Sequence, residues 1–205
     1  MGPGSVLLVE DDPSLREALE DLIRSIGLEV RSYGNVAEFL DAGRPDTPCC
    51  LVTDVRLPGQ SGLDLQAQMT GWPLPPPIIF VTGHADVMMS VRAMKAGAIE
   101  FLQKPFRDQD LLDAVQLGVE RDRLQLADFA AAAGFRERRE TLTPRERQVM
   151  ALVAQGRLNK QIAHDMGLSE VTVKAHRGQV MRKMGARSLA DLVRIADRLE
   201  GKDEA

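Results

Sequence analysis

Cysteine is scarce in this 205-residue chain: there are two, Cys49 and Cys50, and they are neighbours. Adjacent cysteines in an extended run are poorly placed to pair, so a disulfide-stapled scaffold is excluded and both thiols read as small, reduced core residues. Long apolar runs are absent too. None approaches the roughly 20 residues that cross a bilayer as a helix, and no basic stretch followed by an apolar core opens the chain. The expectation is a cytoplasmic protein with no membrane partner. Residues 1–5, which contain Gly2-Pro3-Gly4-Ser5, read as a flexible start or linker remnant without a structural role.

What is present divides the chain in two. Hydrophobic residues make up 44%, enough for one large core or two modest ones. The net charge of −4 hides an asymmetry: residues 1–120 hold 9 basic against 18 acidic side chains, a net −9, whereas residues 121–205 hold 17 against 12, a net +5. An acidic first part suits a cation-binding domain, and a basic second part suits a nucleic-acid binder.

From Val6 to about Glu120, short β-rich runs alternate with amphipathic stretches, the pattern of strand-helix units around a parallel sheet. The predicted strands are Val6–Val9, Glu29–Ser32, Cys49–Thr53, Ile78–Val81 and Ile99–Leu102. Helices are predicted from Pro13, after the cap Asn35, from Ser61-Gly62, and after the caps Asp86 and Asp108. Five strands and five helices make an α/β doubly wound, five-stranded parallel domain over 6–120. Residues 121–139 lack proline and favour a helical linker, read as a solvated connector. From 140 to 205 the chain becomes compact helices without a β-rich run. Thr143-Pro144-Arg145-Glu146 combines a cap, a proline at the first helical position and a capping-box glutamate. Asn159 and Ser169 are predicted caps of two helices separated by Gly167-Leu168-Ser169, a helix-turn-helix signature inside a small all-α domain.

Polar groups cluster where the strands of the first domain end. Glu10 and Asp11 follow the first strand, Asp54 the third, Thr82-Gly83 the fourth and Lys104 the fifth. In a parallel sheet these ends share one edge. The carboxylates of Glu10, Asp11 and Asp54 would form an oxygen-rich pocket suited to Mg²⁺. Asp54 could then act as an in-line nucleophile on a phosphoryl group, with Lys104 and Thr82 contacting its oxygens and Gly83 leaving the approach open.

The quoted residues resemble the receiver domains of two-component response regulators, and among them the FixJ-like class. The resemblance rests on Glu10-Asp11-Asp12, Asp54 with Leu57-Pro58-Gly59, Thr82-Gly83-His84-Ala85-Asp86, Ala93-Met94-Lys95-Ala96-Gly97-Ala98, and Phe101 with Lys104-Pro105-Phe106. It implies a receiver, flavodoxin-like fold with Asp54 as phosphoacceptor. It implies Mg²⁺ held by Glu10, Asp11, Asp54 and the backbone carbonyl of Arg56, and a switch pair of Thr82 and Phe101. Many relatives carry Asp where Glu10 stands; both types occur in the family. His84 and Arg56 flank the pocket as candidates for tuning phosphoryl lifetime.

The predicted helix from Ser169 to Gly185 carries Lys174, His176, Arg177, Arg182 and Lys183, with small Ala175 and Gly178 between them, a plausible major-groove helix. Residues 141–199 hold 11 basic against 5 acidic side chains, a net +6. Leu142-Thr143-Pro144-Arg145-Glu146-Arg147, Gly156, Asn159-Lys160-Gln161-Ile162-Ala163 and Thr172-Val173-Lys174-Ala175-His176 resemble the LuxR-type helix-turn-helix. That resemblance implies base-reading positions at Lys174, Ala175 and Arg177, and phosphate contacts from Lys160, Thr172, Arg182 and Lys183. It also implies pairing on a two-fold site through Leu189, Leu192 and Val193 of the last helix.

Together these readings describe a transcription regulator, expected to be an activator. It would receive a phosphoryl group on Asp54 from a sensor histidine kinase, dimerise, bind double-stranded DNA and engage RNA polymerase. A hydrolase with an aspartyl nucleophile is the rival enzyme reading. Haloacid-dehalogenase-type phosphatases carry a second Asp two residues after the nucleophile, and Arg56 stands there, so no enzyme activity is expected. A phosphate-independent interaction module is the other alternative.

Overall fold

The structure, a computed structural model, describes residues 4–83 and 86–200, apart from the side chain of Glu200. It divides into two compact units, Met1–Ala127 and Asp128–Ala205.

In the first unit the order is β1 (Ser5–Val9), α1 (Pro13–Arg24), β2 (Glu29–Tyr33), α2 (Val36–Ala42), β3 (Cys49–Thr53), α3 (Gly62–Met69), β4 (Ile78–Thr82), α4 (Val87–Lys95) and β5 (Glu100–Gln103). Helix α5 (Asp108–Glu140) follows and continues into the second unit. The five strands are parallel in the order β2-β1-β3-β4-β5. The strand order reverses beside β1, so a crevice opens at the carboxyl ends of β1 and β3, where open α/β sheets bind ligands.

Alternation along the strands explains why both sheet faces are dry. Leu7, Val9, Cys49, Leu51, Ile78 and Phe80 pack in one core with Phe39 of α2 and Leu65 of α3. Val6, Leu8, Cys50, Val52, Ile79 and Val81 pack in another with Ile23 of α1 and Val115 of α5. A period of two thus splits each strand between two helical layers. The side chains of Asp12, Asn35, Ser61 and Asp86 cap α1, α2, α3 and α4 by accepting backbone N–H bonds. Cys49 and Cys50 are fully buried. Burial, with the Asp122 carboxylate nearby, pushes the Cys49 thiol up to about 12, and burial pushes that of Cys50 up further, so both are inert at neutral pH.

Two expectations about the ends of this unit are corrected. Gly4 and Ser5, read as a flexible start, are buried; Ser5 is the first residue of β1 and its N–H donates to the Pro48 carbonyl at 2.9 Å. A Cβ on Gly4 would meet Val119 Cγ1 at 2.2 Å, so the glycine lets the entering chain lie against α5. The stretch 121–139 is not a solvated connector throughout. Asp122 is fully buried, holds Arg44 through both carboxylate oxygens at 3.1 and 2.9 Å, and accepts the Cys49 N–H at 2.8 Å. This triad fastens α5 to the start of β3, and Ala132 further along is buried as well.

The second unit adds α6 (Pro144–Ala154), α7 (Asn159–Met166), α8 (Glu170–Met184) and α9 (Leu189–Glu200). Its core joins Leu142, Val149, Ile162, Val173, Val180, Met184 and Leu192. A capping box opens α6: Thr143 Oγ1 accepts from the Glu146 N–H, and Glu146 Oε2 accepts from the Thr143 N–H. Gly167 and Gly185, at φ 64° and 69°, close α7 and α8 in the left-handed conformation that side chains disfavour. Asn159 is not a cap. It is the first helical residue of α7, Leu158 holds the cap position, and the Asn159 amide oxygen instead accepts from Arg177 Nη1 at 2.5 Å.

Candidate functional site

Sheet register builds the first site. Val9 pairs with Thr53, so Glu10 and Asp54 stand side by side one residue beyond. Each extends its ladder by one bond: the Glu10 N–H donates to the Tyr33 carbonyl and the Asp54 N–H to the Val9 carbonyl, both at 3.2 Å. Lys104 enters from the far side, its N–H held by the Thr82 carbonyl at 2.8 Å. Its ammonium then spans both carboxylates, donating to Glu10 Oε2 at 2.9 Å and to Asp54 Oδ2 at 2.8 Å. The other oxygen of Asp54, Oδ1, accepts the Arg56 N–H at 2.9 Å. Both oxygens of the candidate nucleophile are therefore oriented.

The electrostatics follow from two anions sharing one cation. Glu10 is 2% exposed and Asp54 8%. Burial raises the Glu10 carboxyl above its ordinary value, and the Lys104 hydrogen bond only partly offsets this. Burial works against the Lys104 charge, but the hydrogen bonds and charges of Asp54 and Glu10 outweigh it and hold the ammonium above its ordinary value. Glu10 carries the desolvation cost and Lys104 is locked in its charged form.

The structure thus brings together Glu10, Asp54, Lys104 and, through its backbone, Thr82. Thr82 is fully buried at the end of β4, and the space a side chain would fill at Gly83 is open. Asp11 is exposed. Among the described residues no three acidic, histidine or cysteine side chains converge as a metal cluster. Arg56 meets Asp54 through its N–H. Phe101 is half-buried, with its ring 5.9 Å from that of Phe80. His84 and Ala85 lie outside the described residues.

Two residues of this pocket escaped the sequence reading. A Cβ on Gly62 would meet the Asp54 carbonyl oxygen at 2.3 Å, so only glycine lets α3 begin this close to Asp54. Its place directly after the cap Ser61 was the available signal. Arg16, in the first turns of α1, donates to the Glu10 carbonyl at 2.7 Å and pins the loop after β1; an arginine a few residues past an acidic strand end was the only hint.

In the second unit, Lys160, Lys174, Ala175 and Arg182 are exposed and Thr172 is half-buried. Two candidates are spoken for. Lys183 donates to Glu146 Oε2 at 2.6 Å and to the Thr141 carbonyl at 3.0 Å, a clasp between the end of α8 and the capping box of α6. Arg177 is drawn onto Asn159, pinning α8 to α7. In α9, Leu192 is 1% exposed and belongs to the domain core, which corrects its reading as a pairing residue; Leu189 is exposed and Val193 half-buried.

An oriented aspartate at the switch point of a 2-1-3-4-5 parallel sheet, joined to a basic helix-turn-helix unit, defines a receiver coupled to a DNA-binding domain. The comparisons with known proteins agree. Residues 6–116 match the response regulator receiver domain, and residues 140–196 match the family of bacterial regulatory proteins of the luxR type. Nodulation protein W of Bradyrhizobium diazoefficiens is 54% identical over 194 residues, covering 95% of this chain and 86% of that protein. The transcriptional regulatory protein FixJ of Azorhizobium caulinodans is 43% identical over 191 residues, covering 93% and 90%. Among solved structures, the response regulator StyR superposes with a TM-score of 0.78 at 44% identity over 96% of this chain and 100% of that one. Full-length FixJ from B. japonicum gives 0.58 at 37% identity over 98% and 99%. The chain belongs to the two-component response regulators that join a receiver to a LuxR-type helix-turn-helix, the FixJ-like class, whose members are transcription regulators and not enzymes. No helix among the described residues is long and apolar enough to cross a membrane.

Proposed function

We propose that Asp54 is the phosphoacceptor of this regulator and that its phosphorylation drives pairing, DNA binding and activation of transcription in the cytoplasm. The observation that carries the reading is the Lys104 ammonium held between Glu10 and Asp54. In the proposed step an Asp54 oxygen attacks the phosphorus of a phosphohistidine on a sensor kinase. The P–O bond forms, the P–N bond breaks, and the imidazole leaves with that electron pair. The Arg56 N–H keeps the carboxylate in one rotamer, and Lys104 passes from the carboxylate to a phosphoryl oxygen.

The donor set suits Mg²⁺, because Glu10 and Asp54 are buried oxygen ligands already sharing a cation; Asp11 and the Arg56 carbonyl would complete it. When bound, the ion supplies charge neutralisation between carboxylates and phosphoryl oxygens. Thr82 would donate to the phosphoryl group, and the ring of Phe101 would move with it. Helix α4 supports pairing of receivers: Val87 and Met88 are 77% and 79% exposed, and Val91 and Met94 44% each, an apolar strip on one element. Lys160, Thr172, Lys174, Ala175, Arg177 and Arg182 would meet double-stranded DNA, with Leu189 and Val193 of α9 as the pairing positions, and RNA polymerase as the further partner.

Full-length protein treated with a small phosphoryl donor and Mg²⁺ should gain one phosphoryl group by mass, shift from monomer to dimer and bind DNA more tightly. Asp54→Asn should lose all three responses. A parent protein that takes up the phosphoryl group with no change in mass distribution or DNA affinity would overturn the switch.

A further inference from the structure

The outward face of α8 contains a residue that neither the charge pattern nor the helix-turn-helix motif singles out. Val173, Val180 and Met184 are buried and fix which side of the helix meets the core. At about 100° per residue, Val171, Lys174, Ala175, Gly178 and Arg182 fall on the opposite side within an arc of about 100°. All five are exposed. Val171 is the large apolar member of that face, at 79% exposure in the first turn of α8. A lone exposed valine is ordinary on a protein surface. This one occupies the outward face of the candidate recognition helix, beside Lys174 and Ala175, where small neighbours leave its methyl groups standing proud. Stability supplies little reason for it, since valine is largely exposed there and is a poorer helix former than alanine.

We propose that Val171 is a specificity residue that reads the 5-methyl group of a thymine in the major groove. In that groove thymine alone among the bases presents a methyl, and apolar side chains discriminate it by burying it. The first turn of a recognition helix is the part that reaches base edges, with lysines such as Lys174 supplying polar contacts on the same face. Val171 therefore adds a thymine preference beside the base or phosphate that Lys174 contacts. This inference rests on the reading of the second unit as a groove-docked DNA binder.

The test uses the full-length phosphorylated protein and a randomised duplex library, because the operator is defined by selection. Val171→Ala removes both methyl groups at an exposed helical site and favours the helix, so folding is preserved. The parent should select a sequence with thymine fixed at one position per half-site, and replacing that thymine by deoxyuridine should weaken binding about fourfold, the worth of one buried methyl. Val171→Ala should lose preference at that position alone and become insensitive to the deoxyuridine replacement. Equal sensitivity of parent and variant at every thymine would overturn the proposal while leaving DNA binding intact. A parent protein that selects no sequence would overturn the DNA-binding reading and this inference with it.

Discussion

Removing the ammonium of Lys104 would leave two buried carboxylates, Glu10 and Asp54, facing one another without a cation. Breaking a fully buried pair costs about 3–5 kcal/mol; the Lys104 side chain keeps 20% of its exposure, so screening reduces the expected loss for Lys104→Met to about 1–3 kcal/mol. Urea unfolding at pH 7 in metal-free buffer measures it. Glu10→Gln should act in the opposite direction. The folded pKa of Glu10 lies above its ordinary 4.5, so between those two values the native state keeps a proton that the unfolded chain has released. Stability therefore falls as pH rises through that window. The Gln variant should be more stable than the parent at neutral pH, with the gap closing as pH is lowered to 4.5. A Gln variant that unfolds more readily at neutral pH would mean that the Lys104 bridge outweighs burial.

At the level of elements, the clasp between α6 and α8 gives Lys183 a structural role beside the phosphate contact that its motif implies, and the two roles have different signatures. Lys183→Ala should lower stability by about 0.2–1 kcal/mol, the range measured for solvent-exposed pairs, while DNA affinity well below the melting range stays at the parent level. A uniform loss of affinity in a variant with unchanged melting would identify Lys183 as a phosphate contact. The pH dependence tests the same clasp. The Lys183 ammonium and the Thr143 N–H hold the Glu146 carboxyl below its ordinary 4.5. Its contribution is therefore complete above pH 4.5 and is lost as pH falls through the folded value. Parent and Glu146→Gln melting curves should differ at pH 7 and converge in acid. This pair also marks where the sequence stopped being legible. The strands, the caps Ser61, Asp86 and Ser169 and the capping box are local patterns, and the residues at the strand ends converge because parallel topology forces them to. Lys183 and Glu146 are 37 residues apart, and Arg177 and Asn159 are 18 apart. A long side chain chooses among partners only after the helices have packed, so charge on a helix did not reveal the intradomain partner at either place. Leu192 failed for a related reason: its periodicity marks an apolar stripe without saying whether the domain core or a second copy covers it.

For the whole molecule, phosphorylation and DNA binding meet in one measurable quantity, the salt dependence of affinity. With Lys183 engaged in the α6–α8 clasp and Lys174 and Arg177 read as base contacts, the cations left among the candidate phosphate contacts are Lys160 and Arg182, two per chain. Each phosphate neutralised contributes about −0.9 to the slope of log K against log salt. One chain on DNA should thus give a slope of about −2, and two chains on a two-fold site about −4. The acidic first part, net −9 over residues 1–120, supplies no compensating attraction. If pairing is the step that phosphorylation controls, the unphosphorylated protein should follow the shallow slope and the phosphorylated protein the steep one. Titrations of full-length protein on a duplex carrying both half-sites, with ionic strength varied at fixed Mg²⁺, separate the two. Identical slopes for both forms would disconnect Asp54 from the number of chains on the DNA, and would leave phosphorylation to act through the affinity of each chain alone.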